Sequence, residues 1–348
     1  TLTRNELQKL KNFFENAWKF LKKEGFNLPQ TAADGKIHIT IGRASRVSEA
    51  GGGTSSDGTM QLDLSGNDVI DQQIITHEFM HLVQAKTEGD SRGEYMRWNP
   101  NEYGMFFDEG YAEYFGYKKL AEEKGMGWQR VLKEFEDKGL GGLGAFQTDI
   151  NVFTGWPSRD WGRYTSAFLF IKMIADNFGQ RVLVGMYQGI RNYGRWSSLD
   201  EEDSVGIERL NKFLEYEYLL MKDDIPYTSF TQLYYKWIQE NYLDKEFGGD
   251  KMYKGIDFQA AALEVTYRGG RVVIDRDLKS QEMDGVALPP AAPPGPPTNR
   301  ADLVEWGVDY LRIKVETDKC FKITFDGDDH GRFYVKAIQI MEKGGKRF

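Results

Sequence analysis

Cysteine is almost missing from this chain: Cys320 is the only one in 348 residues, so no intramolecular disulfide can form and packing must hold the fold. No apolar run approaches the roughly 18 residues needed to span a bilayer, and no signal-peptide pattern is present. A dense Lys/Arg stripe is lacking too. With a net charge of −8, the chain is poorly matched to nucleic acid or an anionic membrane surface, and neutral or cationic peptides would approach it more easily than acidic ones. Proline is thinly spread, since six of the ten lie within 289–297, and there is no internal repeat. Histidine is the next scarcest residue, at four, which makes each position informative. Length and apolar content are ample: the chain exceeds one ordinary domain, and 40% hydrophobic residues can fill a core, so two or three domains are expected.

Two of the four histidines lie four apart in His77-Glu78-Phe79-Met80-His81. Around them Ile70, Ile74, Phe79, Leu82 and Val83 recur at helical spacing, Asn67 suits an N-cap, and Asp68 and Asp71 place negative charge in the first turn. On a helix, residues four apart stack on one face, so both imidazoles can reach one metal ion. Glu78 then points from the adjacent position, where it can take a proton from a metal-activated water rather than bind the metal. Two His on one helix with a Glu base is the arrangement of zinc hydrolases. A catalytic zinc generally has three protein ligands, and the third must come from elsewhere.

The run Phe106-Phe107-Asp108-Glu109-Gly110-Tyr111-Ala112-Glu113-Tyr114-Phe115-Gly116 predicts a second helix carrying Glu109 and Glu113 on one face. Glu109 is assigned to the metal. Glu113 is assigned behind a ligand imidazole, His77, because a metal-bound His usually donates its free N–H to a carboxylate or carbonyl. Asp108 and Glu102 compete for the third position, and a solvated acidic face is the other reading of Glu113.

His77-Glu78-x-x-His81 followed by Glu109-Gly110-x-Ala112-Glu113-Tyr114 resembles the gluzincin metallopeptidases, in which the third zinc ligand is a Glu on a later helix. The 28 positions from His81 to Glu109 exceed the spacer of thermolysin-like and aminopeptidase-type members. The spacer is closer to that of bacterial collagenase catalytic domains, whose Glu-Gly-x-Ala-Glu segment is also similar. The resemblance covers about residues 36 to 180. It implies an α+β, zincin-like catalytic domain: a small mixed sheet, an active-site helix and a largely helical lower half. It also implies one catalytic Zn2+, a protein or peptide substrate, and secretion, the chain from Thr1 being the mature form of a bacterial or archaeal enzyme. No Gly-x-Met-Glu-Asn segment of the aminopeptidase branch is found, which favours an endopeptidase.

Along the rest of the chain, 3 to 25 reads as a helix with a capping box from Thr3 to Glu6, an apolar stripe through Leu7, Leu10, Phe13, Phe14, Trp18 and Leu21, and Gly25 as its stop. Residues 36 to 41 alternate as a strand with His38 on the polar side. A glycine-rich loop, 51 to 56, follows, either a flexible lip or a connector, and then a strand over 59 to 64. The resemblance places substrate along this second strand, at Met60, Gln61 and Leu62, pairing with it as with a sheet edge. Helical spacing recurs over 109–124, 127–138, 161–178, 180–192, 203–221 and 228–242. A peptidase of this type needs a donor for the oxyanion that develops during hydrolysis. Tyr164 is the choice, with Arg163 beside it as a substrate contact, while Tyr103, Tyr111 and a mere packing role for Tyr164 stay open.

Residues 1 to 250 are thus read as the metallopeptidase domain and 251 to 288 as a connection containing a hairpin around Gly269-Gly270. A Pro-rich linker spans 289 to 300, and a β-rich accessory segment spans 301 to 348, with strands at 308–315, 320–325 and 332–340. Asp326-Gly327-Asp328-Asp329-His330 could bind Ca2+, or form an acidic turn. The function expected is that of a secreted zinc endopeptidase with Glu78 as general base. The alternatives are a glycopeptidase or mucin-directed peptidase, and a surface binding protein whose zinc site is not catalytic; the intact Glu78 counts against the last.

Overall fold

A computed structural model of the chain describes residues 2–26, 29, 31–55, 57–88, 104–138, 150–151, 161–180, 182–184, 214, 229–247, 253–256, 263–267, 307–308, 311–315, 342–343 and 346–347. Its first helix, α1 (Arg4–Lys23), starts as its sequence dictates. The Thr3 hydroxyl accepts the Glu6 N–H at 3.3 Å, and the Thr3 N–H donates to the Glu6 carboxylate at 2.7 Å, so two otherwise unpaired donors are satisfied. Leu10, Ala17, Phe20 and Leu21 form its buried stripe. Leu7, expected in that stripe, is 52% exposed. Gly25 ends the helix at φ +100°, a left-handed conformation that costs glycine little.

Three strands follow: β1 (His38–Arg43), β2 (Gly51–Thr54) and β3 (Thr59–Leu64), in the order β1-β3-β2. β1 runs parallel to β3 and β2 antiparallel to it, making a mixed sheet. Along β3, Met60, Leu62 and Leu64 are buried while Gln61 and Asp63 are exposed, as its alternation predicts. The glycine run expected to be a loop is strand β2. Glycine has weak strand preference, yet pairing from Gly51↔Asp63 to Thr54↔Met60 gives its backbone groups partners, and tertiary pairing overrides propensity.

Helices α2 (Asp68–Glu88), α3 (Gly104–Lys124), α4 (Trp128–Glu136), α5 (Trp161–Phe178) and α6 (Phe230–Phe247) come next. Of the two helices expected at 180–192 and 203–221, residues 180, 182–184 and 214 are helical and the rest lie outside the described residues. α2 contacts α1, α3 and the strands β2 and β3, while α3 also packs on α4 and α5. Ala167 to Ile171 are all fully buried, so α5 passes through the core rather than along its surface. The α3–α5 crossing is close enough that a Cβ on Gly110 would stand 2.9 Å from the Ala167 carbonyl oxygen.

Beyond these helices, β4 (Ile150–Asn151) pairs antiparallel with β6 (Gly307–Val308), and β5 (Leu263–Tyr267) pairs parallel with β7 (Leu311–Val315). β8 (Glu342–Lys343) and β9 (Lys346–Arg347) form a short hairpin. β5 is the first arm of the hairpin expected at Gly269-Gly270, and its partner among the described residues is β7; the second arm, 271–275, lies outside them. These ladders pair 307–308 with 150–151 and 311–315 with 263–267. The Pro-rich segment, the strands at 320–325 and 332–340 and the Asp326–His330 turn are also outside the described residues. The architecture is α+β at this coarse level, and among the described residues no helix is long and apolar enough to cross a membrane.

Candidate metal centre

α2 begins as predicted: Asn67 Oδ1 accepts the N–H groups of Val69 and Ile70 at 3.1 and 3.4 Å. Asp71, one turn in, accepts the Ser65 N–H and hydroxyl and the Gly66 N–H at 2.7 to 3.1 Å. Burial nevertheless raises its carboxyl above the ordinary range. The start of the helix is therefore pinned from both sides, and the register of the residues downstream is fixed.

Two turns on, His77 and His81 turn their Nε2 atoms toward each other, 3.0 Å apart. From α3, Glu109 Oε2 approaches His77 Nε2 at 3.1 Å and His81 Nε2 at 3.5 Å. Together they are the one group of metal-ligand side chains found among the described residues. The triangle can be tested against coordination chemistry. A tetrahedral zinc with bonds of about 2.0–2.1 Å holds its ligand atoms about 3.3 Å apart, so the three edges have the size required. Two nitrogens and one carboxylate oxygen also suit zinc, while a hard cation such as calcium prefers all-oxygen sites.

The pocket's field favours positive charge. Burial opposes protonation of His77, but Glu109 and Glu113 outweigh it and lift the imidazole well above its usual range. His81 is raised likewise, against its own burial, chiefly by Glu109. Burial would raise Glu109 too, yet the two imidazoles hold its carboxyl far below the carboxylate range. A divalent cation among these three atoms would supply the positive charge that the surrounding carboxylates favour.

Behind the ligands, Glu113 Oε1 lies 3.4 Å from His77 Nδ1. Glu113 is itself held, because Gln73 Nε2 donates to its Oε2 at 2.9 Å and the Tyr117 hydroxyl faces it. Glu78 points the other way, toward the sheet. Its carboxylate Oε2 accepts the Thr54 hydroxyl at 2.7 Å, and a Cβ on Gly52 would stand 2.7 Å from its Cγ and Oε1. Gly52 and Thr54 share one face of β2, the first leaving room for the carboxylate and the second holding it. Neither was singled out in the sequence, since a glycine triplet carries no strand signal; a threonine ending such a run is the only trace.

β3 is not the sheet edge that the substrate placement at Met60, Gln61 and Leu62 assumed. Its backbone is paired with β1 and β2 on its two sides, and Met60 and Leu62 point into the core. Among the described strands, the edge next to Glu78 is β2. Tyr164 and Arg163 lie in the first turn of α5, and their side chains are outside the described residues, as is that of Asp108 in α3. Glu102 and Tyr103 also fall outside. Tyr111, the other candidate oxyanion donor, is buried and gives its hydroxyl proton to the Leu183 carbonyl at 2.9 Å, which commits it elsewhere. No protein-family model matches the chain, and no curated protein matches it either.

Proposed function

We propose that the chain is a zinc-dependent endopeptidase of the gluzincin type, secreted, with a zincin-like catalytic domain. The observation that carries this reading is the triangle of His77 Nε2, His81 Nε2 and Glu109 Oε2, with Glu78 on the same helix and seated separately against β2. A structural site would be closed by a fourth protein ligand and has no use for a carboxylate beside it.

Zinc at this position supplies Lewis acidity to a scissile carbonyl and to a water molecule. Glu78 accepts the proton of the attacking water on the carboxylate oxygen that Thr54 leaves free, and returns it to the departing amine. Thr54, by holding the other oxygen, keeps the carboxylate in one orientation through both transfers. An extended peptide pairs along the outer backbone edge of β2, whose N–H and C=O groups match its own. Tyr164, with Arg163 beside it, is the residue proposed to donate to the oxyanion.

Metal analysis paired with digestion of unstructured casein tests this, comparing the wild type with Glu78→Gln. One zinc per chain in both, with cleavage reduced about 10²- to 10⁴-fold in the variant, is expected. Zinc in both without cleavage by either would sink the general-peptidase reading and make glycosylated substrates the next to try.

A further inference from the structure

The two imidazoles of the centre are backed unequally. His77 has a carboxylate behind it, Glu113, which is held in turn by Gln73. His81 has an amide: Gln84, three residues later on α2, places its Oε1 2.6 Å from His81 Nδ1. Gln84 is 2% exposed, so this contact is made inside the protein, where a misplaced polar group is costly.

An amide oxygen can only accept. His81 Nδ1 must therefore carry the proton, and the lone pair is left on Nε2, the atom that faces His77 and Glu109. With the opposite tautomer, a proton would stand between the three ligand atoms and block them.

We propose that Gln84 is a positioning residue of the metal centre: by accepting from His81 Nδ1 it fixes the tautomer that leaves the Nε2 lone pair facing the metal. This rests on the metal-site reading above. The effect acts on metal binding itself and is measurable without turnover.

The experiment is a chelator competition giving the zinc dissociation constant of the full chain, for wild type, Gln84→Leu and Gln84→Glu. Thermal unfolding of each metal-free protein is followed alongside. Gln84→Leu removes the acceptor and is expected to weaken zinc binding about 10- to 100-fold. Gln84→Glu restores an acceptor of the same reach and is expected to bind zinc at least as tightly as wild type, while cleavage by its zinc-loaded form falls because the extra anion weakens the Lewis acid. A role confined to packing predicts instead that both variants lose stability and that Glu fails to rescue affinity; that result overturns the proposal. Wild-type affinity in Gln84→Leu overturns it alone, whereas absence of zinc binding by the wild type overturns it together with the reading on which it rests.

Discussion

Helices α1 and α2 are of nearly equal length and lie in contact, yet they treat polar residues in opposite ways. Along α1 the charged side chains are solvated, the ion pairs Lys11–Glu15 and Lys19–Glu15 are largely exposed, and one stripe meets the core. Along α2 the buried residues include Asp71, Gln72, Gln73, Thr76, His77, Glu78 and Gln84, mixed with Ile70, Ile75, Met80 and Leu82. A buried polar group without a partner costs about 1–3 kcal/mol, so α2 persists only because its neighbours supply partners. Those partners, Thr54 on β2 and Glu109 and Glu113 on α3, are what turn a helix into a candidate catalytic centre. Polarity on α1 faces solvent; on α2 it is buried and paired.

Substitutions on the two helices and their neighbours sharpen this contrast. The largest effect is expected from His77→Ala or Glu109→Ala, which should lower bound zinc from one per chain to none by metal analysis; retention of zinc would show that the triangle is not the site. Glu113→Gln comes next, since it weakens the support behind His77: zinc affinity should fall about 10- to 100-fold in the same chelator competition.

Gly52→Ala probes the seat of Glu78. Its Cβ would meet Glu78 at 2.7 Å, whereas at Gly51 a Cβ meets nothing within 4 Å. Peptide cleavage should therefore drop at least about tenfold in Gly52→Ala, with zinc retained, as misplacement of a general base predicts. Gly51→Ala should be close to wild type, and equal activity in both variants would remove β2 from the account.

Smaller effects belong to α1. Thr3→Ala removes the helix cap and should cost about 1 kcal/mol in urea unfolding at neutral pH, with zinc binding and cleavage unchanged. The pH dependence has a definite sign. Thr3 and, more weakly, Arg43 hold the Glu6 carboxyl below its ordinary value of 4.5, so its stabilising contribution is complete above that pH and is lost as the pH falls through the lowered value. The stability difference between wild type and Thr3→Ala should shrink in acid; a difference that grew would contradict this capping role. Least of all, Lys11→Ala should change stability by no more than about 0.5 kcal/mol, because its ion pair is exposed.

Local pattern made much of this legible. The capping box of α1, the alternation of β3, the N-cap and spacing of α2 and the bounds of α5 depend on residues a few positions apart, and each appears in the structure where the sequence predicts it. Periodicity likewise put His77 and His81 on one helical face, and Glu109 and Glu113 on another. The glycine strand was not legible, because what makes 51–54 a strand is β3, a partner outside its own residues. The same holds for Thr54: nothing near it in sequence reveals that its hydroxyl meets Glu78, 24 residues away. Sheet order was hidden for that reason too, and with it which strand has a free edge.

By itself the sequence determined which residues could bind a metal, which carboxylate could serve as a base, and where most of the helices around them run, since helix periodicity is a local property. Only the tertiary structure decided that α3 brings Glu109 to 3.1 Å from His77 and that β2 closes over Glu78. These depend on packing between segments far apart in the chain, where burial forces every polar group to find a partner and the fold chooses which.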